Sequence, residues 1–547
     1  MGQRTDTSVS RSEPSTVPDI LHIICGHTSR AACLQIAYCS RIFFQVAIPH
    51  VWKELYGIHN LLSLIPTIKV SQDSGNQKEI TVPNGLDSVP DFSRYDIYAP
   101  SVHTIKVFDT LSRRYRVSFS SWTSLFRHSD LRPGGVFLPN LRKLDIHCEW
   151  CPLADRVNWI AILLAPSLLD IHVTADATNG ILGIPDSRAS ALLELITQRC
   201  PSVRSLSLFP EPEDAYKHTT KDLIPLAPAN LSCDHLANMQ NLRSLTMSKI
   251  ALQSDALLTI GLLSTLERLE IHDSASQDIF STLLPEFLFP SLRYLTLQMI
   301  DSFEVGQIWQ MQPLVSRLTH VQINAKAPNM ERERGLEPSG MTRHLPRMQF
   351  GDSPCIKSLS INFDILAASY NTSKLSPSGL TSMFQLPLQY LNLAMVKLKK
   401  FDVFCQMLAE SCPTLCQLHI PSQPLALSEL YHLTRLESIE HLSLRVLWHT
   451  LPDRSEGDWT RSSKSLTSLT YHYLKYQGLE CSSNATAPEI ARYFLDIWPS
   501  LADITPAAGL NGTQEALPQQ VAQIMAANRA ASLCTCDMCS RQAAQVV

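Results

Sequence analysis

The residue types best suited to chemistry in this chain are its cysteines and histidines. There are 15 of the first and 18 of the second in 547 residues. Cys148 and Cys151 form a C-x-x-C pair, and Cys534, Cys536 and Cys539 form C-x-C-x-x-C near the C-terminus. A structural zinc site takes four Cys or His ligands. The second cluster offers three with no fourth beside it, so no metal is expected. Cysteines such as Cys33, Cys39, Cys200, Cys405, Cys412 and Cys416 stand singly, where a reduced thiol acts as a small hydrophobe. No P-loop, nucleotide-binding glycine fingerprint, H-E-x-x-H or G-x-S-x-G is present. With only 19 glycines, few turns can cradle a phosphate. The expectation is a chain that is not an enzyme and uses no cofactor.

What the sequence does repeat is a positioning element. The phrase apolar-x-x-apolar-x-apolar occurs thirteen times, most clearly at Leu141/Leu144/Ile146, Leu242/Leu245/Met247, Leu266/Leu269/Ile271, Leu292/Leu295/Leu297, Leu388/Leu391/Leu393 and Leu415/Leu418/Ile420. Copies start 24 to 39 residues apart, counting Leu501/Ile504 as a broken last copy. The short intervals fall within the range of about 20–29 residues found in leucine-rich repeats. Many copies follow a proline, as in Pro139-Asn140, Pro166-Ser167, Pro290-Ser291 and Cys412-Pro413-Thr414. Proline stops a preceding helix, and the period-two phrase then reads as a short strand. Before several prolines apolar residues recur at helical spacing, as at Leu192, Leu195 and Ile196, or Phe401, Phe404, Cys405 and Leu408. The expected fold is α/β: a leucine-rich-repeat-like solenoid of parallel strands with outer helices. The alternative is an ordinary multidomain α/β protein whose Leu-rich strands recur by chance.

Composition sets bounds. A single core stops growing near ~250–300 residues, whereas a solenoid grows along one axis. Net charge is −4, which gives no reason to expect a nucleic-acid partner. No apolar run reaches the ~20 residues of a membrane span, and the polar start, Met1-Gly2-Gln3-Arg4, lacks the apolar core of a secretory signal. The expected location is intracellular, cytoplasmic or nuclear, with no membrane partner. By texture, 1–16 reads as a disordered N-terminus, 17–66 as a small all-α module, 67–95 as a linker, 96–506 as the solenoid with a charged insert at 326–352, and 507–547 as an Ala/Gln-rich tail.

The helical module reads Val17-Pro18-Asp19-Ile20-Leu21-His22-Ile23-Ile24, then Leu34 to Phe44, then Ala47 to Leu55. Pro18 suits a first helical turn, and Ile20, Leu21 and Ile24 share one face. Three helices in some 40 residues bury little surface alone and need a partner or a neighbouring domain. This segment resembles the F-box at Pro18, Asp19, Ile20, Leu21, Ile24, Leu34, Ala37, Cys39, Phe43, Val51 and Trp52. A short box ahead of irregular leucine-rich repeats is similar to fungal F-box proteins. The resemblance implies that Pro18, Ile20, Leu21, Ile24, Leu34, Ala37, Phe43, Val51 and Trp52 bind the Skp adaptor of a cullin ubiquitin ligase. It implies that the repeats hold a substrate protein. The competing reading is a scaffold whose N-terminal helices only cap the first repeat.

Alternation along each strand sends apolar residues inward and their neighbours out to the concave face. The expected partner-binding positions are Asp145, His147, His172, Glu270, His272, Gln322, Asn324, Asn392, His419 and Arg445. Their histidines share no common spacing.

Overall fold

The structure is a computed structural model. It describes residues 16–72, 78–82, 91–108, 115–117, 119–147, 153–174, 183–211, 233–273, 284–325, 355–363, 373–448, 451, 465–472, 486–507 and 516–533. The Cys148/Cys151 pair, the C-terminal cysteine cluster, the charged insert and the first 15 residues lie outside these. The chain forms two compact units, Met1–Thr246 and Met247–Val547.

The first unit opens with three helices, α1 (Thr16–His27), α2 (Arg30–Ala37) and α3 (Arg41–Trp52). The Ser29 and Ser40 hydroxyls accept from the Ala32 and Phe43 amides and start the second and third helices. A parallel ladder follows: β1 (Glu54–Tyr56), β2 (Thr104–Lys106), β3 (Lys143–His147), β4 (Asp170–Thr174), β5 (Ser205–Ser207) and β6 (Ser244–Ser248). Register places Leu55, Ile105, Leu144, Ile171, Leu206 and Leu245 side by side as one buried rung.

The second unit continues the pattern with β7 (Arg268–His272), β8 (Tyr294–Ile300), β9 (His320–Ala325), β10 (Ser358–Phe363), β11 (Tyr390–Ala394), β12 (Gln417–Ala426), β13 (His441–Leu447), β14 (Ser468–Tyr471) and β15 (Asp503–Pro506). Leu269, Leu295, Val321, Leu359, Leu391, Leu418, Leu442 and Leu469 form its central buried rung. Every one of the thirteen phrases yields a ladder strand, and so does Leu501/Ile504. This is the α/β leucine-rich-repeat fold: parallel strands whose returns carry helices such as Asp186–Arg199, Phe401–Ser411 and Ala487–Ile497.

The proline punctuation does more than stop helices. The residue after the proline donates a hydrogen bond to the preceding coil. Asn140 Nδ2 reaches the Pro100 carbonyl (2.7 Å), Ser167 Oγ reaches Pro139 (2.8 Å), Ser291 Oγ reaches Ser264 (2.5 Å) and Thr414 Oγ1 reaches Leu388 (3.0 Å). Each Asn, Ser or Thr thus ties a turn to its neighbour and satisfies a carbonyl the ladder leaves open.

Three segments differ from the expected layout. The helical module does not run to residue 66, because Leu55 turns inward and β1 pairs with β2 as the first rung of the ladder. The stretch read as a linker holds an antiparallel pair, Lys69–Gln72 with Lys78–Thr81, which buries Ile80. In the tail, Ala516–Leu533 is a helix that packs on helix Ala487–Ile497 and buries Val521 and Met525.

Helix Phe119–Asp130 meets helix Leu153–Leu163 through Trp122, whose Nε1 donates to Asp155 at 2.6 Å, with Trp159 edge-on at 4.7 Å. Burial pushes the Asp155 carboxyl up to about 6, partly offset by the Trp122 hydrogen bond. The unfolded carboxyl titrates near ~3.9, so between these values the folded state binds the proton more tightly. The contribution of this group to stability is therefore greatest at low pH and is lost as pH rises through about 6, by ~2–3 kcal/mol. Asp155→Asn keeps an acceptor for Trp122 and carries no charge. Its melting temperature should exceed that of the unaltered chain by ~5 °C at pH 7.5, with the gap closing toward pH 4. Equal melting temperatures at pH 7.5 would contradict this account of Asp155.

Candidate functional site

Several thiols are locked in the core. Burial pushes Cys200 and Cys233 up to about 12 and Cys412 up to about 11, so each is a protonated, inert side chain at neutral pH. Among the described residues no group of three or more His, Cys, Asp or Glu is arranged to hold a metal ion. What remains are surfaces.

The first is on the helical module. Its core is closed by Cys25, Cys33, Ala37, Ala47, Ile48 and Val51, with Phe44, Trp52 and Tyr98 at the margin. Outside that core large apolar side chains face solvent on all three helices. Ile20 is 55% exposed, Ile23 62%, Tyr38 76% and Ile42 57%, with Ile24 and Leu34 also open. Ile20, Ile23 and Ile24 share a face of α1, and Tyr38, the residue that caps the end of α2, stands four positions after Leu34. A monomeric surface does not normally leave so many large apolar groups together on one small module.

The expected contact residues therefore divide. Ile20, Ile24 and Leu34 are exposed, as is Pro18, while Leu21 and Phe43 are half-buried. Ala37 and Val51, only 6% and 4% exposed, are corrected to core residues, since their small or branched side chains fill the space between the helices. Trp52 is half-buried, with its ring 4.5 Å from that of Tyr98, at the joint between module and ladder. Sequence reasoning missed Ile23, Tyr38 and Ile42. Helical spacing from Ile20 marked Ile23 (i, i+3), but Tyr38 and Ile42 sit at helix ends where periodicity gives out.

The second surface is the outer side of the ladders. In the first unit Asp145 stands beside His172 on neighbouring strands, and His147 ends β3. In the second unit Glu270, Thr296, Gln322, Ser360, Asn392, His419 and Ser443 form one aligned row. His272, Gln298, Asn324 and Asn362 form the next. Arg445 lies opposite Pro424, past a register shift in β12. The rows are knit by side-chain bonds: Asn324 Nδ2 to Gln298 Oε1 (2.7 Å), Asn392 Nδ2 to Ser360 Oγ (3.0 Å), and His272 with Glu270 (2.7 Å).

A third row escaped the sequence reading. It consists of the residue just before the second apolar position. There the Arg268 guanidinium lies 4.2 Å from the Tyr294 ring centre, Tyr294 stacks on His320 at 4.4 Å, and Tyr390 lies 5.1 Å from His419. His320 is held below its usual value by burial and then by the charges of Arg268 and Lys357. His419 is held down by burial, with His472 and His441 adding to it. These imidazoles are neutral at pH 7 and act as hydrogen-bonding rings. The surface is aromatic and amide-rich, suited to contacting another macromolecule.

Among the described residues no helix is long and apolar enough to cross a membrane. No family model matches the chain, and no curated protein matches it in sequence. Among solved structures, an internalin of Listeria monocytogenes strain 4b F2365 is similar with a TM-score of 0.25 and 17% identity, over 57% of this chain and 77% of the internalin. A chain of the TLR13–ssRNA13 complex is similar with a TM-score of 0.37 and 14% identity, over 78% of this chain and 54% of that one. This chain thus spans about half the length of the latter. At such scores the likenesses carry no functional weight, and the leucine-rich-repeat fold rests on the register of the ladders.

Proposed function

We propose that this chain is the substrate-recognition subunit of a Skp–cullin–F-box ubiquitin ligase, binding its partners without catalysing a reaction. The observation that supports this most is the exposed apolar face of a small helical module whose own core is already closed. The F-box resemblance of the same residues gives that face an occupant, a Skp-type adaptor held by apolar contacts. The ladders then hold a target protein near the ubiquitin-charged enzyme, and the contribution to rate is proximity and orientation. Trp52 on Tyr98 and Leu55 in the first rung support a module that also seals the ladder. Sealing uses its inner side and leaves Ile20, Ile23 and Ile24 open, so the two roles coexist.

The test is affinity capture of the tagged full chain from its host cells, read for adaptor and cullin together. Recovery of both in near-equal amount to the chain is expected. A folded chain that brings down neither would leave a leucine-rich-repeat scaffold with a helical cap.

A further inference from the structure

One feature of the first unit belongs to neither surface. The residue after the first apolar position of each phrase lies on the edge of the ladder. Backbone bonds link these edge positions one coil to the next: the His103 amide to the Lys53 carbonyl (3.0 Å), Arg142 to His103 (2.8 Å), Leu169 to Arg142 (2.8 Å), Arg204 to Leu169 (2.7 Å) and Arg243 to Arg204 (2.8 Å). Six successive positions thus carry four permanent cations, one histidine and one leucine, and no acid. Lys53, Arg142, Arg204 and Arg243 are exposed. Each carbonyl of the first five also accepts the following amide of the next coil, as Asp170 to Arg142 (2.9 Å) and Ser244 to Arg204 (3.0 Å), so the Cα positions are fixed.

With strands ~4.8 Å apart, the row extends about 24 Å. The chain as a whole is net negative, so this concentration of positive charge is local. The corresponding edge of the second unit mixes Glu267 and Glu440 with Arg293 and Lys357. Among the described residues Glu54 and Asp170 stand one residue along from Lys53 and Leu169, Asp145 is occupied by Lys143 at 3.4 Å, and Arg243 already has an interaction of its own within the fold, which leaves Lys53, Arg142 and Arg204 as the body of the row. His103, between Lys53 and Arg142, is held below its usual value by burial first and then by the charges of Arg142 and Lys53.

We propose that this cationic ridge docks an acidic, Asp/Glu-rich segment of a protein partner, in extended form, along the edge of the first unit. In an extended segment alternate side chains repeat every ~6.7 Å, so successive acids can meet the guanidinium groups, which have reach enough to take up the difference from the strand spacing. Arginine favours carboxylates because its planar fork binds them through two parallel bonds. The proposal refines the substrate-holding half of the function given above and makes no use of the adaptor half.

The experiment uses the intact chain without adaptor, so it cannot fail merely because the adaptor does not bind. Fluorescence anisotropy would follow a labelled peptide of about twelve residues alternating Glu and Ser, the same peptide with Gln for Glu, and a single-stranded oligonucleotide of equal charge. Saturable binding of the Glu peptide alone is expected, weakening as salt rises. Combining Arg142→Gln, Arg204→Gln and Arg243→Gln should weaken it at least about tenfold with the circular dichroism spectrum unchanged. The neutral amides keep the substitutions mild, and any single Arg→Gln variant that folds should show a proportionate loss. Equal binding of the Gln peptide, no binding of the Glu peptide, unchanged affinity in the folded variants, or tighter capture of the oligonucleotide by the same arginines would each overturn the proposal.

Discussion

Replacing Ile20 and Ile24 together by aspartate should abolish adaptor binding and leave the rest of the chain intact. Both side chains are exposed in the free protein, and surface substitutions away from special features change stability by only ~0.5 kcal/mol. In a complex each would be buried, which contributes about 1.5–3 kcal/mol per side chain, and an unpaired carboxylate in its place adds a desolvation cost. A combined loss of at least ~4 kcal/mol weakens binding about a thousandfold. Val51→Asp gives the contrasting case. It places a charge inside the module core and should melt α1–α3, losing the adaptor through unfolding. Titration with purified adaptor, alongside circular dichroism of each variant, separates these outcomes. Undiminished binding by the folded Ile20/Ile24 variant would remove the face from the proposed interface.

The second large effect is expected at Phe494. Its ring is fully buried, stacked near-parallel on Trp498 at 5.9 Å and edge-on to Trp448 at 5.7 Å. The helix that carries it is held at its N-terminus and again beside Phe494. The Glu489 carboxylate accepts from the Thr486 amide (2.8 Å) and hydroxyl (2.7 Å), and Tyr493 Oη donates to the Leu427 carbonyl (2.5 Å). Phe494→Ala removes a ring that no neighbour can replace and should cost about 3–5 kcal/mol. Because repeats depend chiefly on their neighbours, the loss should be local. Amide exchange should accelerate first in β14 and β15, with β3 unchanged. Thr486→Ala, which removes only a cap, should cost about 1 kcal/mol. Uniform loss of protection along the chain would contradict this nearest-neighbour account.

The fold was legible because the ladder depends on two properties a sequence displays directly, the type of residue and its spacing. Leu295 and Leu297 face inward because alternation in a strand leaves no other choice. β1 was missed because the third apolar place of its phrase is Gly57, which has no side chain to mark the pattern. The Lys69–Thr81 pair was missed because its buried contribution is small, chiefly Ile80 and the preceding Ile68. For the sites the limits were different. Helical period separates faces but does not say which face a neighbour covers, so Ala37 and Val51 were grouped with Ile20 although they fill the core. The Arg268–Tyr294–His320 stack and the Lys53–Arg243 ridge are made of residues from separate coils. Only the strand register, fixed by turn lengths that vary from coil to coil, brings those residues side by side.

The central claim is that the open face of α1 and α2 receives the adaptor. Hydrogen–deuterium exchange of the full chain, with and without a saturating amount of the purified Skp-type adaptor, tests it most directly. Slower exchange confined to residues 16–42, with the ladder strands unchanged, is the predicted result. Unchanged exchange across those residues, or protection appearing only on the ladders, would contradict it.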